Sequence, residues 1–372
     1  MLWFGGYAGP AMSVRAPVSA RVLWDHVPPG CWLVGEWPAH DLHTARAGRR
    51  AVAVIGQCHV TADELVRMAV REVPDDVAWR WPGSYTVIAT DDDGTTVWTD
   101  IGGAAPIYTT SADEGTYWSS SSRALSGLTG ARVSTDWLAG WLIAPGTPGL
   151  LHDKSAFIAI DRVPAGHRIR LSTNAEPVMR PVWRPRPRPG DHAARLRTEL
   201  AAAVAVRVDV AAAPTVDLSG GYDSTALALL AAERLHPRRS VTGVTVHPRG
   251  VVTGGDTFYA CQAATHPGIV HRLMPLDEHH LPYSDLDAVP ATDEPAPSTI
   301  AHAYFSAQLR WMRAEFGSDC HMTGDGGDSL LCSPPIMLAD LVSTRSYRRA
   351  LVETLRWARL RRLAMWPLLI AA

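Results

Sequence analysis

The feature that most constrains this chain is a short apolar segment that runs directly into a glycine loop and then into a helix. Residues 214–218 have the composition of a buried strand, residues 219–224 read Ser-Gly-Gly-Tyr-Asp-Ser, and helical spacing follows over 225–235. Adjacent glycines allow a sharp turn and bring amide N–H groups close to an anion, and the N-terminus of the helix adds its positive dipole end. The sequence therefore predicts a phosphate-binding loop at the end of a buried strand.

The loop differs from the two commonest nucleotide-binding motifs. It lacks the lysine of a Walker-type loop, and Lys154 is the only lysine in the chain. Its glycine spacing also differs from the dinucleotide fingerprint Gly-x-Gly-x-x-Gly. Asp223 lies within the loop and would repel a phosphate unless a cation lay between them. We therefore expect Mg²⁺ to bridge Asp223 and the phosphate oxygens.

A second acidic glycine loop follows another predicted strand. Residues 320–323 are predicted as this strand, and residues 323–329 read Thr-Gly-Asp-Gly-Gly-Asp-Ser. Alone, such a segment is typical of a surface turn. Two such loops at the ends of two parallel strands would instead bracket one triphosphate. Asp328 is the predicted second magnesium ligand.

The chain around these loops divides into two parts. Before residue 182, short alternating runs lie at 51–56, 83–90 and 95–99, with a hairpin turn at 91–94 and a capped helix at 61–70. This pattern predicts an antiparallel, β-rich fold that also contains helix. After residue 190, predicted strands at 241–246 and 269–274 alternate with helices near 191, 257–265 and 299–316, which predicts a parallel sheet covered on both faces. We place the domains at 1–182 and 191–372, joined by a Pro/Arg linker at 183–190.

Composition excludes several classes of protein. The 372 residues carry a formal net charge of −2 and 19% charged residues, so no global basic field indicates nucleic-acid binding. The 5 cysteines are scattered and none is paired as Cys-x-x-Cys, which fits neither a disulfide framework nor a zinc site. No apolar run has the length of a membrane span, and no signal peptide begins the chain. We expect a cytoplasmic protein with neither nucleic-acid nor membrane partners.

Together, the two loops resemble the paired motifs of the asparagine-synthetase superfamily. Residues 100–108, 117–125 and 163–167 are similar to three segments of the family's amidotransferase domain. The resemblance implies an α+β domain followed by an α/β domain. The first is a glutamine-amidotransferase-like (Ntn-type) sandwich, and the second is a parallel-sheet ATP-pyrophosphatase domain of the adenine nucleotide α-hydrolase-like type.

The resemblance also implies ATP and Mg²⁺ as cofactors and assigns roles to individual residues. It places Asp325 beside the reacting amine and Glu294, in the acidic segment 293–295, near the substrate. Asp223 and Asp328 would hold the metal. Pyrophosphate would lie on the first loop, adenine on Val246, and the ribose and α-phosphate near the start of the second loop. The implied nucleotide contacts are Leu218, Ser219, Gly220, Gly221, Asp223, Ser224, Val246, Thr323 and Gly324.

Two features bear on the amine that the family resemblance implies. Leu2 stands where the family's glutaminases carry their nucleophilic cysteine, which implies that glutamine is not the nitrogen donor and that the first domain is a scaffold. The run 323–335 most resembles the lasso-peptide macrocyclases. The implied substrate is a ribosomal precursor peptide, with a leader-binding protein and a leader protease as further partners. The alternatives are an asparagine synthetase using ammonia, a β-lactam-synthetase-like ligase, and a non-catalytic nucleotide-binding homologue.

One departure from the family concerns the amide-forming step. Relatives carry a lysine well beyond the second loop, and this chain has no lysine after Lys154. Arg356, Arg359 or Arg361 would be the substitutes. Because the sequence stops at residue 372, we expect it to be short at the C-terminus relative to the family.

Overall fold

A computed structural model gives the fold of this chain. It describes residues 2–10, 16–24, 30–112, 115–143, 151, 153–172, 175–186, 189–251, 253–331 and 336–366. Among these residues, the first part forms two six-stranded antiparallel sheets and the second part forms a four-stranded parallel sheet. No helix in the described ranges has the length and apolar character needed to span a bilayer. The predicted fold class, an antiparallel sandwich followed by a parallel α/β unit, is confirmed.

The strands of the first part lie in two sheets with the orders β10-β8-β9-β1-β3-β2 and β12-β11-β7-β6-β5-β4. These strands are β1 (Trp3–Ala8), β2 (Arg21–Trp24), β3 (Cys31–Val34), β4 (Leu42–Ala47), β5 (Arg50–Cys58), β6 (Gly83–Asp91), β7 (Gly94–Trp98), β8 (Ile107–Ala112), β9 (Gly115–Ser119), β10 (Asp161–Val163), β11 (His167–Ser172) and β12 (Ala175–Pro181). The helices are α1 (Ala62–Val70), α2 (Ser122–Thr129) and α3 (Thr135–Ile143).

The two sheets pack face to face through the side chains that alternate strand residues turn to the inside. Ile55 and Ile88 of one sheet join Phe4 and Trp118 of the other in one buried cluster. The outer faces are covered by helices: α1 packs on the second sheet and α2 on the first. The result is a four-layer sandwich. The predicted capping box of α1 is confirmed, since Thr61 and Glu64 exchange hydrogen bonds at the helix start.

The second part alternates strand and helix, as predicted. Its elements are α4 (His192–Val208), β13 (Pro214–Asp217), α5 (Tyr222–Leu235), β14 (Val241–Pro248), α6 (Gly255–Ala263), β15 (Ile269–Leu276), α7 (His302–Phe316), β16 (Cys320–Met322), α8 (Gly327–Leu331), α9 (Ile336–Ser343) and α10 (Tyr347–Arg361). Helices α4 and α5 pack on one face of the sheet around Val216, and α7 packs on the other face through Met312 against Val244.

Two helix starts differ from the prediction by three residues. Helix α5 begins at Tyr222, within the glycine loop, because Gly221 serves as its N-cap and the loop residues enter the first turn. Helix α7 begins at His302, after a 3-10 turn over Pro297–Ala301, and Pro297 fits the start of such a turn because its ring presets φ. The first difference brings Asp223 into the first turn of a helix.

The strand order β15-β14-β13-β16 creates a switch point beside β13. From β13 the chain moves outward to β14 and β15, and it then crosses back to place β16 on the other side of β13. Ligands of open parallel sheets bind beyond the carboxyl ends of the strands at such a point. Asp319, just before β16, accepts hydrogen bonds from the backbone N–H groups of Ala212 (2.7 Å) and Ala213 (3.0 Å), which fixes the start of β13 against β16.

We expect Asp319→Ala to lower the free energy of unfolding by about 1 kcal/mol at neutral pH, because two backbone donors lose a charged but exposed acceptor. Burial alone would raise the pKa of Asp319, yet these donors hold it below its ordinary value. A depressed folded-state pKa means that the stabilisation exists above the unfolded-state pKa and is lost as the pH falls through the folded-state pKa. Thermal unfolding followed by circular dichroism in neutral and acidic buffers measures this difference. Asp319→Asn, which keeps one acceptor oxygen, should be intermediate. An equal effect of Asp319→Ala in both buffers would contradict the assignment.

Candidate functional site

The two glycine loops lie side by side at the switch point. Val216 pairs with Met322 in the parallel ladder of β13 and β16, so both strands end at the same edge of the sheet. A Cβ added to Gly324 would lie 2.8 Å from the backbone nitrogen of Ser224. A Cβ added to Gly327 would overlap the carboxyl group of Asp223. The second loop therefore packs directly on the first, and only glycine permits this approach.

The first loop has the geometry of an anion cradle. Gly220 has φ +83, and a side chain there would collide with the carbonyl oxygen of Asp256. The hydroxyl oxygens of Ser219 and Ser224 are 2.8 Å apart, and the N–H of Gly221 donates to the Ser219 hydroxyl at 3.3 Å. No side chain in the described structure caps the N-terminus of α5. The first-turn N–H groups of α5 therefore face the loop without a side-chain acceptor, as a phosphate site requires.

Asp223 and Asp328 lie in the first turns of α5 and α8. Among the described residues, no group of three or more His, Cys, Asp or Glu side chains has metal-binding geometry. Mg²⁺ bound with a nucleotide does not need such a group, because one or two carboxylates, phosphate oxygens and waters complete its octahedral shell. The packing of Gly327 on the Asp223 carboxyl suits such a shared site. The assignment of Asp223 and Asp328 as magnesium ligands stays a prediction.

A polar cluster that sequence reasoning missed joins the two strands below the loops. Asp217 Oδ1 accepts a hydrogen bond from Gln308 Nε2 at 2.7 Å and lies 3.2 Å from His321 Nε2. His321 Nδ1 is 2.9 Å from the hydroxyl of Thr215. The sequence contained a signal for this cluster, since Asp217 and His321 are ionisable residues within short strands that are predicted to be buried. The cluster ties β13, β16 and α7 together where the site begins.

The predicted catalytic residue Asp325 lies on the exposed side of the second loop, on the side of Tyr304 in α7. Burial raises the pKa of Tyr304, and the negative charges of Asp217 and Asp325 raise it further. The phenol of Tyr304 therefore stays in its neutral form. Thr323, at the start of that loop, is exposed because β16 ends at Met322.

Glu294, the other predicted catalytic residue, lies between the two parts of the chain. Its Oε1 accepts a hydrogen bond from the hydroxyl of Tyr108 in β8 at 3.1 Å. Asp293 Oδ1 accepts from the hydroxyl of Ser121 (2.6 Å) and from the N–H of Arg123 (2.9 Å), which caps α2. Burial raises the pKa of Glu294, and Asp293 adds to the rise. The acidic segment thus docks on the first sandwich.

The remaining predicted residues occupy the sheet edge or lie away from it. Leu218 is fully buried below the first loop, and its N–H donates to the carbonyl of Val244 at 2.8 Å. Val246 is partly buried near the end of β14, against the cluster around Met312. Leu2 is 48% exposed, immediately before β1.

Two of the arginine substitutes are described at the far end of the chain. Arg356 pairs with Glu353 at 2.8 Å, and Arg359 is exposed on α10. The side chain of Arg361 lies outside the described residues, as do residues 332–335 of the macrocyclase-like run and residues 187–188 of the linker.

Comparison with known proteins gives one family and two remote structures. The family model for asparagine synthase matches residues 195–369. Among solved structures, the glutamine phosphoribosylpyrophosphate amidotransferase from B. subtilis complexed with ADP and GMP has 10% identity, covering 86% of this chain and 84% of that chain, with a TM-score of 0.29. The allosteric regulatory enzyme of purine biosynthesis has 11% identity, covering 86% of this chain and 83% of that chain, with a TM-score of 0.29. No curated protein matches the chain.

The family match contains both glycine loops and every strand of the parallel sheet. It supports ATP as a cofactor and an ATP-dependent ligase that releases AMP and pyrophosphate. Residues 195–369 are therefore similar to the asparagine synthase domain, which supports a relation of this part of the chain to the asparagine-synthetase superfamily.

Proposed function

We propose that this chain activates a carboxylate with ATP and joins it to an amine as an amide. The observation that carries the proposal is the direct contact between the two glycine loops at the switch point, where Gly324 packs on Ser224 and Gly327 on Asp223. A carboxylate oxygen attacks the α-phosphorus, and pyrophosphate leaves. The amine nitrogen then attacks the acyl carbon of the adenylate, AMP leaves with the former C–O bond electrons, and the amine gives up one proton.

The first loop would stabilise the charge that develops on the leaving pyrophosphate. The first-turn N–H groups of α5 have no side-chain cap, and the hydroxyls of Ser219 and Ser224 lie 2.8 Å apart at the same loop. Such preorganised donors cost no reorganisation during the reaction. When bound through Asp223 and Asp328, Mg²⁺ supplies further neutralisation of the same charge. Asp325, exposed on the second loop, is the proposed acceptor of the amine proton.

For the substrate, we propose a peptide whose N-terminal amine attacks an Asp or Glu side chain that has been activated as its adenylate. The product would be an isopeptide-closed ring of the lasso type. The similarity of the second loop, through Leu330 and Leu331, to the macrocyclases supports this choice, and both leucines are exposed. A leader-binding protein and a leader protease are the proposed partners. The first sandwich, docked on the acidic segment at Asp293, would serve as a scaffold.

A non-catalytic nucleotide-binding homologue is the second candidate. It is favoured by residues 155–372, which contain no lysine that could neutralise charge in the amide step. ATP–pyrophosphate exchange separates the two candidates, because exchange requires adenylate formation. Supplying a precursor peptide in one assay, and aspartate or a β-amino acid in others, separates a macrocyclase from a small-molecule ligase.

We expect Asp223→Asn and Asp328→Asn each to reduce pyrophosphate exchange at least about 100-fold, since each removes a charged metal ligand where charge develops. Thermal unfolding should change little. Asp63→Asn is the matched control, because Asp63 also lies in the first turn of a helix, on the first sandwich. If either site variant exchanged pyrophosphate at the wild-type rate, the metal assignment would be wrong. If the wild-type chain bound ATP yet exchanged pyrophosphate with no carboxylate, the ligase proposal itself would fail.

We expect Gly324→Ala to separate the two loops, because its Cβ would lie 2.8 Å from the backbone nitrogen and 3.1 Å from the Cα of Ser224. Overpacking against backbone costs about 1–3 kcal/mol. The apparent KM for ATP in the exchange reaction should rise at least about tenfold. Gly127→Ala in α2 is the control, since a Cβ there meets no atom within 4 Å and alanine favours the helix. Normal ATP kinetics in Gly324→Ala would show that the loops do not share one nucleotide.

We expect Glu294 to act through its hydrogen bond with Tyr108. In a double-mutant cycle, Glu294→Gln and Tyr108→Phe should reduce the rate of amide formation to similar degrees, and the double variant should lose little more. Tyr85→Phe is the control, because it removes a buried tyrosine hydroxyl bond within the first sandwich at Val77. Loss of activity in Glu294→Gln with full activity in Tyr108→Phe would instead assign Glu294 a direct role at the substrate.

A further inference from the structure

A cavity of about 430 Å³ lies on the outer face of the second sheet of the first sandwich, beside α1. It belongs to a different part of the chain from the glycine loops. Its walls contain more arginine than any other residue type, and its acidic residues are Glu72 and Asp91. The arginines are Arg50, Arg71, Arg168, Arg170 and Arg180. Five guanidinium groups face two carboxylates in the wall, and Asp75 adds a third carboxylate beside Arg168, so two positive charges remain unbalanced on a chain of formal net charge −2.

The strand register explains why these arginines converge. Arg168 on β11 lies directly opposite Arg180 on β12, and Arg170 lies opposite Val178. On its other side, β11 pairs with β7, which places Arg168 opposite Trp98. Residues two apart on a strand share a face, so Arg168, Arg170 and Arg180 all point to the same side. Like charges directly opposite each other destabilise a sheet, and an anion between them would relieve this repulsion.

Two of the arginines are held in fixed positions. Arg170 forms a two-pronged contact with Asp91, with distances of 3.1 Å from Nη1 and 2.5 Å from Nη2. Arg168 Nη1 donates to Asp75 at 2.8 Å, and the indole N–H of Trp98 donates to the same carboxylate at 3.2 Å. Both arginine side chains are only 28% exposed. A ligand would therefore meet guanidinium groups whose orientation is already set, which lowers the entropy lost on binding.

The other arginines lack acidic partners. Within the described ranges, no carboxylate lies within 4.0 Å of the guanidinium nitrogens of Arg50, Arg71 or Arg180. Arg50 has a long contact to the carbonyl of Val70 at 3.4 Å. These three groups provide charge that the protein itself does not neutralise. Arginine suits carboxylate and phosphate groups because its planar fork matches two oxygens at once.

The cavity also has an apolar floor. Val52, Met68, Val73 and Trp98 are each less than a tenth exposed and line the cavity below the arginines. A volume of about 430 Å³ suits a small organic molecule. An inorganic ion would use the arginines but would make no use of the apolar residues of the wall. The combination favours a ligand with an acidic group on an apolar body.

We propose that this cavity binds a small organic anion, with a carboxylate or phosphate group held by Arg50, Arg168 and Arg180 and an apolar body on Trp98. The site is separate from the nucleotide loops and gives the first sandwich a ligand of its own. It does not depend on the ligase reaction proposed above.

The test is isothermal titration calorimetry on the full chain at low salt with four probes. Phenyl phosphate and 3-phenylpropionate carry the two acidic groups on similar apolar bodies, 3-phenylpropionamide lacks the charge, and inorganic phosphate lacks the body. At least one of the two organic anions should bind, and the tighter one identifies the acidic group. The amide and inorganic phosphate should bind at least about tenfold more weakly than that anion. Equal binding by inorganic phosphate would overturn the organic ligand.

Variants of the arginines that lack an acidic partner test the site without disturbing the fold. Arg180→Gln and Arg50→Gln should each weaken binding about tenfold, which corresponds to one charged hydrogen bond, and leave thermal unfolding unchanged. Arg195→Gln is the matched control, an exposed arginine on α4. Asp223→Asn should bind the probes normally, which separates this site from the nucleotide site. Failure of every probe to bind the wild-type chain, or wild-type affinity in Arg180→Gln, would overturn the proposal.

Discussion

The candidate site depends on the parallel pairing of β13 with β16. The chain passes through β14 and β15 before it returns to β13 from the other side, and Asp319 bonds to Ala213 across 106 residues of sequence. This return creates the switch point and places the second glycine loop against the first. Without the pairing, each loop would be an ordinary strand-to-helix turn. The polar cluster of Asp217, Gln308 and His321 strengthens the pairing from the side of α7.

The two parts of the chain are connected through polar contacts at the acidic segment. Asp293 caps α2 of the first sandwich, and Glu294 accepts from Tyr108 of β8. These carboxylates are partly buried, so loss of one partner would leave the other without its hydrogen bond in a partly dehydrated position. The sandwich therefore holds a segment of the second part of the chain. Its outer face carries the arginine cavity, so the docking contacts and the proposed anion site use different surfaces.

Much of the fold could be predicted because its signals are local. The capping box of α1 requires only Thr61 and Glu64, three residues apart, and the hairpin between β6 and β7 follows from Asp-Gly in its turn. The start of α5 was predicted three residues late, because glycine and aspartate in a loop do not reveal that they also form the first turn. The polar cluster was missed because Thr215, Gln308 and His321 are far apart in sequence.

By itself, the sequence determined that a glycine loop beginning at residue 219 lies between a buried strand and a helix, and that a second such loop begins at residue 323. It also determined that the first part is antiparallel and the second parallel, since periodicity and turn residues are local properties. Only the tertiary structure decided that Gly324 packs on Ser224, that Glu294 faces Tyr108, and that Arg168 and Arg180 meet across a strand pair. Such contacts depend on strand order and register, which arise from packing between segments distant in the chain.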